Sequence, residues 1–125
     1  MNEIIGILNN IRENNQILEL EFLCNGEKVY AFMLESKEKF SPLLGQKLPL
    51  IFKETHILLG QNLRGPRNCF VGKVKSIQAD EFFLKVVLFS LNQEITALVH
   101  KGFNAKVGDT LFWCVLESEI MLSGV

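Results

Sequence analysis

Polar and apolar residues alternate in short runs along most of this chain. Ile11 stands between Asn10 and Arg12, Leu20 between Glu19 and Glu21, and Val74 between Lys73 and Lys75. A two-residue period rich in Ile, Leu, Val and Phe predicts half-buried strands rather than helices. In residues 1–62 five strands are expected, near Glu3–Ile11, Gln16–Cys24, Glu27–Glu35, Lys47–Phe52 and Thr55–Leu59. Asn25-Gly26 is the strongest turn signal, because both residues tolerate the positive φ of a tight type I′ hairpin. In residues 63–125 the strands fall near Asn68–Ile77, Phe82–Phe89, Glu94–Val99, Thr110–Leu116 and Glu119–Leu122, with a hairpin at Leu91-Asn92-Gln93 that lacks glycine. The segment ESKEKFSPLLGQ has room for one short helix before Gly45, and KGFNAKVGD corresponds to it in the second half, three residues shorter.

The two sets of strands are one pattern written twice. Gly6 aligns with Gly72, Ile11 with Ile77, Leu18 with Leu84, Val29 with Ile95, Ala31 with Ala97 and, after a gap, Gly45 with Gly108. A period of about 63 to 66 residues divides the 125 residues into 1–62 and 63–125. Units of about 60 residues bury only some 60% of their unfolded surface, so the halves are expected to share a core with each other and with further subunits. Five short strands in such a length suit a partly open Greek-key barrel, giving an all-β chain of two tandem OB-like barrels with at most one short helix per domain.

Charge and cysteine content narrow the function classes. The net charge is −1 without blocks of like charge, which removes the basic footprint expected of a nucleic-acid binder or of a protein held on an acidic membrane. The join Gly60–Asn68 is a local exception, with Arg64 and Arg67 and no acid. Cys24, Cys69 and Cys114 are odd in number and widely spaced, which suits neither a zinc site nor a disulfide framework and predicts buried reduced thiols. The N-terminus carries an acid where a signal peptide is basic, and no apolar run is long enough to span a bilayer, so a cytoplasmic protein is expected. His56 and His100 have no ligand partners at metal-binding spacing. The many aromatic residues lack the basic groove of a single-strand binder. No nucleophile elbow, phosphate-binding glycine loop or catalytic triad spacing is present, so binding is expected rather than catalysis, with no catalytic cofactor.

Several segments carry a family resemblance. RNCFVGKVKSI, EITALVH, KVGDTLFW and LESEIMLS in the second half, and more loosely their counterparts in the first, resemble the molybdate-binding TOBE or Mop domain, so that the whole chain is similar to a tandem pair. The family signature Ser-Ala-Arg-Asn followed by an apolar pair and glycine is matched by Arg67, Asn68 and Gly72, with Gly65 and Pro66 in place of its first two residues. Its second signature, a lysine before small residues, is matched by Lys53, Glu54, Thr55 and His56. In the second half Leu116 replaces the lysine and Ser118 remains, and in the first half only Asn2 and Gly6 survive of the opening signature.

The resemblance implies an oxyanion-binding protein for molybdenum storage, homeostasis or sensing. Molybdate or tungstate would be held by Arg67, Asn68, Gly65, Lys53, Glu54, Thr55, Ser118 and Ser36, in a homo-oligomer, dimer or trimer, where domains or subunits meet. Tetrahedral dianions are held by converging donors, namely backbone N–H, hydroxyls and cationic side chains, of which the charge-assisted ones are strongest. Lys53 of one half and Arg67 of the other would share a pocket across an interface. Neither nucleic acid nor membrane is an expected partner, an importer or a regulator is, and the alternative is an interaction module that has lost anion binding.

Overall fold

The computed structural model describes residues 1–124, so the last residue of the expected second unit, Val125, lies outside the described residues. Among the described residues ten strands form: β1 (Asn2–Asn14), β2 (Ile17–Cys24), β3 (Glu27–Met33), β4 (Lys47–Phe52), β5 (Leu58–Gly60), β6 (Cys69–Ala79), β7 (Phe83–Ser90), β8 (Gln93–His100), β9 (Thr110–Cys114) and β10 (Met121–Leu122). The predicted helix before Gly45 is α1 (Lys37–Phe40), continued by a 3₁₀ turn Ser41–Leu43. The second half has no counterpart to it; KGFNAKVGD runs as turns and irregular chain, because three fewer residues leave no length for a helical turn. The expectation of a helix in each half is corrected to one.

Antiparallel pairing builds two five-stranded sheets, ordered β10-β4-β1-β2-β3 and β5-β9-β6-β7-β8. The last strand of each repeat therefore leaves its own sheet. Leu58 and Gly60 of β5 pair with Cys114 and Phe112 of β9, while Met121 and Leu122 of β10 pair with Ile51 and Leu50 of β4. These final strands also start later than the alternation predicts. Glu54–His56 and Glu117–Glu119 are 3₁₀ turns that redirect the chain toward the opposite sheet before pairing begins.

Each sheet curls because its first long strand pairs twice. Residues Asn2–Ile7 of β1 bond to β4 and Ile7–Asn14 bond to β2, with a bulge at Asn9; β6 does the same with β9 and β7, with its bulge at the equivalent Lys75. Bulges sharpen local twist and let a strand turn from one partner to the next, which gives the OB-like curl. Gly6 and Gly72 stand in these strands where side chains of the neighbouring strands of the same curled sheet crowd them. A Cβ at Gly6 would lie 2.8 Å from Cys24 Sγ, and one at Gly72 would lie 3.2 Å from Leu88 Cβ.

The halves share one core, as small units must. Buried residues of both repeats form a single cluster, from Ile4, Leu20 and Phe22 to Leu88, Ile95 and Trp113. Trp113 is its centre: its ring stacks on Phe52 of the other repeat at 5.9 Å and packs on Phe70 at 5.1 Å. The Trp113 indole N–H donates to Ser90 Oγ at 2.8 Å, which satisfies the one polar group that burial would strand.

The Asn25-Gly26 hairpin turns with both residues at positive φ. Leu91-Asn92 adopts the same geometry with no glycine, at φ 53° and 59°, and the strained Leu91 gains burial in return. One expectation about cysteines fails. Cys24 is free and buried, but Cys69 and Cys114 are disulfide-bonded; 45 residues apart in sequence, they are direct partners in the β6–β9 register.

Candidate functional site

The signature residues gather where each repeat crosses to the other. The join between the halves delivers Gly65, Arg67 and Asn68 to the start of β6, beside the edge strand β3 of the first sheet. Asn68 is fully buried. Its Nδ2 donates to Tyr30 O at 2.7 Å and its Oδ1 accepts from Tyr30 N–H at 2.8 Å, so the amide imitates a neighbouring strand and closes the edge of β3. Its own carbonyl accepts from Val115 N–H at 3.1 Å. Asn2, the surviving counterpart in the first repeat, makes the same pair with Thr96 of β8, at 2.8 Å in each direction. The asparagine of the signature thus staples one sheet to the other, twice, and its strong hydrogen-bonding groups are spent on backbone.

Arg67 is held on three sides. Its guanidinium lies 3.6 Å over the ring of Tyr30 and 5.8 Å from that of Phe32, and its Nη2 meets Glu19 Oε2 at 3.0 Å and Glu117 Oε2 at 3.4 Å. Planar guanidinium both stacks on aromatics and forks onto carboxylates, which a lysine here would not reproduce. Tyr30 is anchored in turn by its hydroxyl, which donates to Glu21 Oε1 at 3.1 Å. The Glu21 carboxyl is held below its usual range, first by a hydrogen bond from Asn9 and then by that from Tyr30 and by Lys28.

At the second junction the position equivalent to Arg67 is Met1, whose α-amino group meets Glu54 Oε1, as Arg67 meets the equivalent Glu117. That hydrogen bond holds the Glu54 carboxyl below its usual range, with its own backbone N–H and Lys85 helping. Lys85 occupies the repeat position of Glu19. Between the junctions the two 3₁₀ turns meet, and the equivalent residues His56 and Glu119 face one another with Nδ1 2.9 Å from Oε2. The approach is short but off-line, and His56 Nδ1 makes no aligned hydrogen bond.

The remaining expected site residues are distributed. Lys53 precedes the 3₁₀ turn that holds Glu54 and Thr55, and its side chain is exposed. Gly65, at φ 116°, has open space where a Cβ would be. Ser118 lines a cleft with Phe32, Lys39, Phe40 and Ile120, whereas Ser36 lines a separate one with Glu13, Gln16 and Glu35. Neither cleft includes Arg67, Lys53 or Thr55. Sequence reading missed Glu19, Glu117 and Tyr30 as the surroundings of Arg67; Tyr30 is the only tyrosine, and nothing in its spacing marks it as a platform. Among the described residues no group of three His, Cys, Asp or Glu side chains is placed to hold a metal ion.

No family model matches the sequence, and no curated protein matches it. The fold does match. A solved structure of the cytoplasmic molybdate-binding protein ModG, with molybdate bound, aligns with a TM-score of 0.87 over 97% of this chain and 94% of that one, at 25% identity. This chain has the fold of ModG. The alignment runs the length of both chains, so it covers both sheets and both junctions, and it agrees with the resemblance to the TOBE or Mop family carried by Arg67, Asn68 and Gly72.

Proposed function

We propose that this chain is a cytoplasmic oxyanion-binding protein that takes molybdate or tungstate and serves molybdenum storage, homeostasis or sensing. The observation that carries this reading is the near-complete structural correspondence with ModG, a protein crystallised with molybdate bound. On this reading the chain is two tandem TOBE or Mop units, 1–62 and 63–125, that have exchanged their final strands. It assembles as a dimer or trimer, and the anion sits where units of different copies meet. Lys53, with Glu54 and Thr55 of the first 3₁₀ turn, Ser118 of the second, and Gly65 and Arg67 of the join are the groups offered to it; Asn68, its amide spent on Tyr30, holds the join in place, and Ser36 lines a different cleft. An importer or a regulator is the expected protein partner.

One observation favours a second reading, an interaction module that no longer binds anions. Arg67 already faces Glu19 and Glu117, so a dianion approaching it meets two carboxylates that it must displace or outcompete. Thermal unfolding in molybdate, tungstate and sulfate separates the two readings. A ligand at 100 times its dissociation constant adds about 2.7 kcal/mol to the folded state. Binding predicts a raised Tm with molybdate or tungstate and a smaller rise with sulfate; an unchanged Tm with all three supports the interaction module.

A further inference from the structure

We propose that Cys69 and Cys114 are a reversible dithiol–disulfide couple that locks the Arg67–Asn68 segment against the Leu116–Ser118 turn. The two are directly opposed on antiparallel β6 and β9, with Cα atoms 4.2 Å apart, the spacing of a narrow cross-strand pair whose side chains stand side by side. Cys69 follows Arg67 and Asn68 directly, and Cys114 lies two residues before Leu116, so the bond ties together the two chain segments that frame the first junction. The hydrogen bond from Val115 N–H to Asn68 O lies one step beyond the bond on each strand. At the second junction the equivalent register partners are Glu3 and Ile51, so only one of the two crossings carries the couple.

The setting gives the couple a direction. On the cytoplasmic reading proposed above, glutathione keeps thiols reduced, and a disulfide there is transient and responsive rather than a permanent staple. Cys114 is fully buried and Cys69 only partly so, which makes Cys69 the sulfur that a small thiol or disulfide reaches first. Oxidation needs a small disulfide such as glutathione disulfide. The Cys69 thiolate attacks it and expels one glutathione thiolate; the Cys114 thiolate then attacks the Cys69 sulfur of the mixed disulfide and expels the second. The two protons released from the cysteines are taken up by the two glutathione thiolates, so one glutathione disulfide yields two glutathione and one protein disulfide. Cys24 takes no part: it is buried without a partner, and burial pushes its thiol up to about 11.

The test equilibrates the full chain in buffers of graded glutathione to glutathione disulfide ratio, quenches by alkylation, and reads intact mass and labelled peptides. Hydrogen exchange is recorded on the fully reduced and fully oxidised forms. The couple predicts that Cys69 and Cys114 lose their labels together in one reversible transition, and that C24A leaves the transition in place. It also predicts that Val115 N–H exchanges about tenfold or more faster in the reduced form, as a locally loosened strand end does. Independent modification of the two cysteines, accumulation of a glutathione adduct on Cys69 in the unmutated chain, or identical exchange at residues 64–69 and 115–119 in both forms overturns the proposal. C69S, which keeps the size of the side chain, is expected to leave Cys114 reduced at every ratio and to exchange like the reduced chain; oxidation of Cys114 in that variant counts against the pairing.

Discussion

The two crossings between the sheets are built on one plan and charged differently. At the first, Asn68 closes the edge of β3 through Tyr30; at the second, Asn2 closes the edge of β8 through Thr96, with nearly the same hydrogen-bond lengths. Around these staples the charges diverge. Arg67 faces two carboxylates, Glu19 and Glu117, whereas at the second crossing Glu54 faces the α-amino group of Met1 and feels Lys85, which stands where the first repeat has Glu19. The amide pairing is what the fold requires, so both repeats retain it. The surrounding charge is free to differ, and the first crossing holds an excess of acid while the second holds an excess of base.

Removing the staples gives the largest effect. Asn68→Ala leaves the N–H and C=O of Tyr30 without partners beside a buried void and is expected to cost about 2–4 kcal/mol in urea unfolding. Asn2→Ala is expected to cost a similar amount through Thr96. A cost at Asn68 with none at Asn2 would break the equivalence of the two crossings.

A methyl added where neighbouring strands crowd these glycines comes next. Gly6→Ala and Gly72→Ala are each expected to destabilise by about 1–3 kcal/mol, as overpacking does. Gly6→Ala should be the worse, since its Cβ would lie 2.8 Å from Cys24 Sγ against 3.2 Å from Leu88 Cβ at Gly72. Combining Gly6→Ala with Cys24→Ala tests the cause, because removing the sulfur should recover part of the loss.

Arg67→Ala is expected to cost only about 1 kcal/mol or less, since the ion pairs are open to solvent and screened. That cost should shrink further in high salt, while the stack on Tyr30 should make Arg67→Lys nearly as unfavourable as the alanine variant.

The smallest effect is that of acid. The Glu21 and Glu54 carboxyls are held below their usual range in the folded state, so their contributions are present above the unfolded carboxylate pKa of about 4.5 and fade as pH falls through the folded values. A melt series from pH 6 downward should show this decline, and Glu54→Gln should flatten part of it.

How much of this was legible in the sequence follows from what each pattern encodes. Alternation encodes which face of a strand is buried, so the strands from Asn2 to Phe52 and from Cys69 to Cys114 were placed within a few residues. The exchange of β5 and β10 was hidden for a specific reason: the repeats are similar, so a final strand that fits its own sheet fits the other equally well, and alternation is blind to the choice. The signature was legible at Arg67, Asn68 and Gly72, but residue type alone does not say what an amide faces, and Asn68 turned out to face backbone. The pairing of Cys69 with Cys114 depends on the β6–β9 register, which spacing along the chain does not reveal.

The most direct test of the account is molybdenum retained per chain after equilibrium dialysis against molybdate, with sulfate in excess as competitor. The account predicts saturable retention that tungstate displaces readily and sulfate displaces only weakly, reduced in Lys53→Ala. Retention no greater than that of an unrelated protein, at every molybdate concentration, would contradict it.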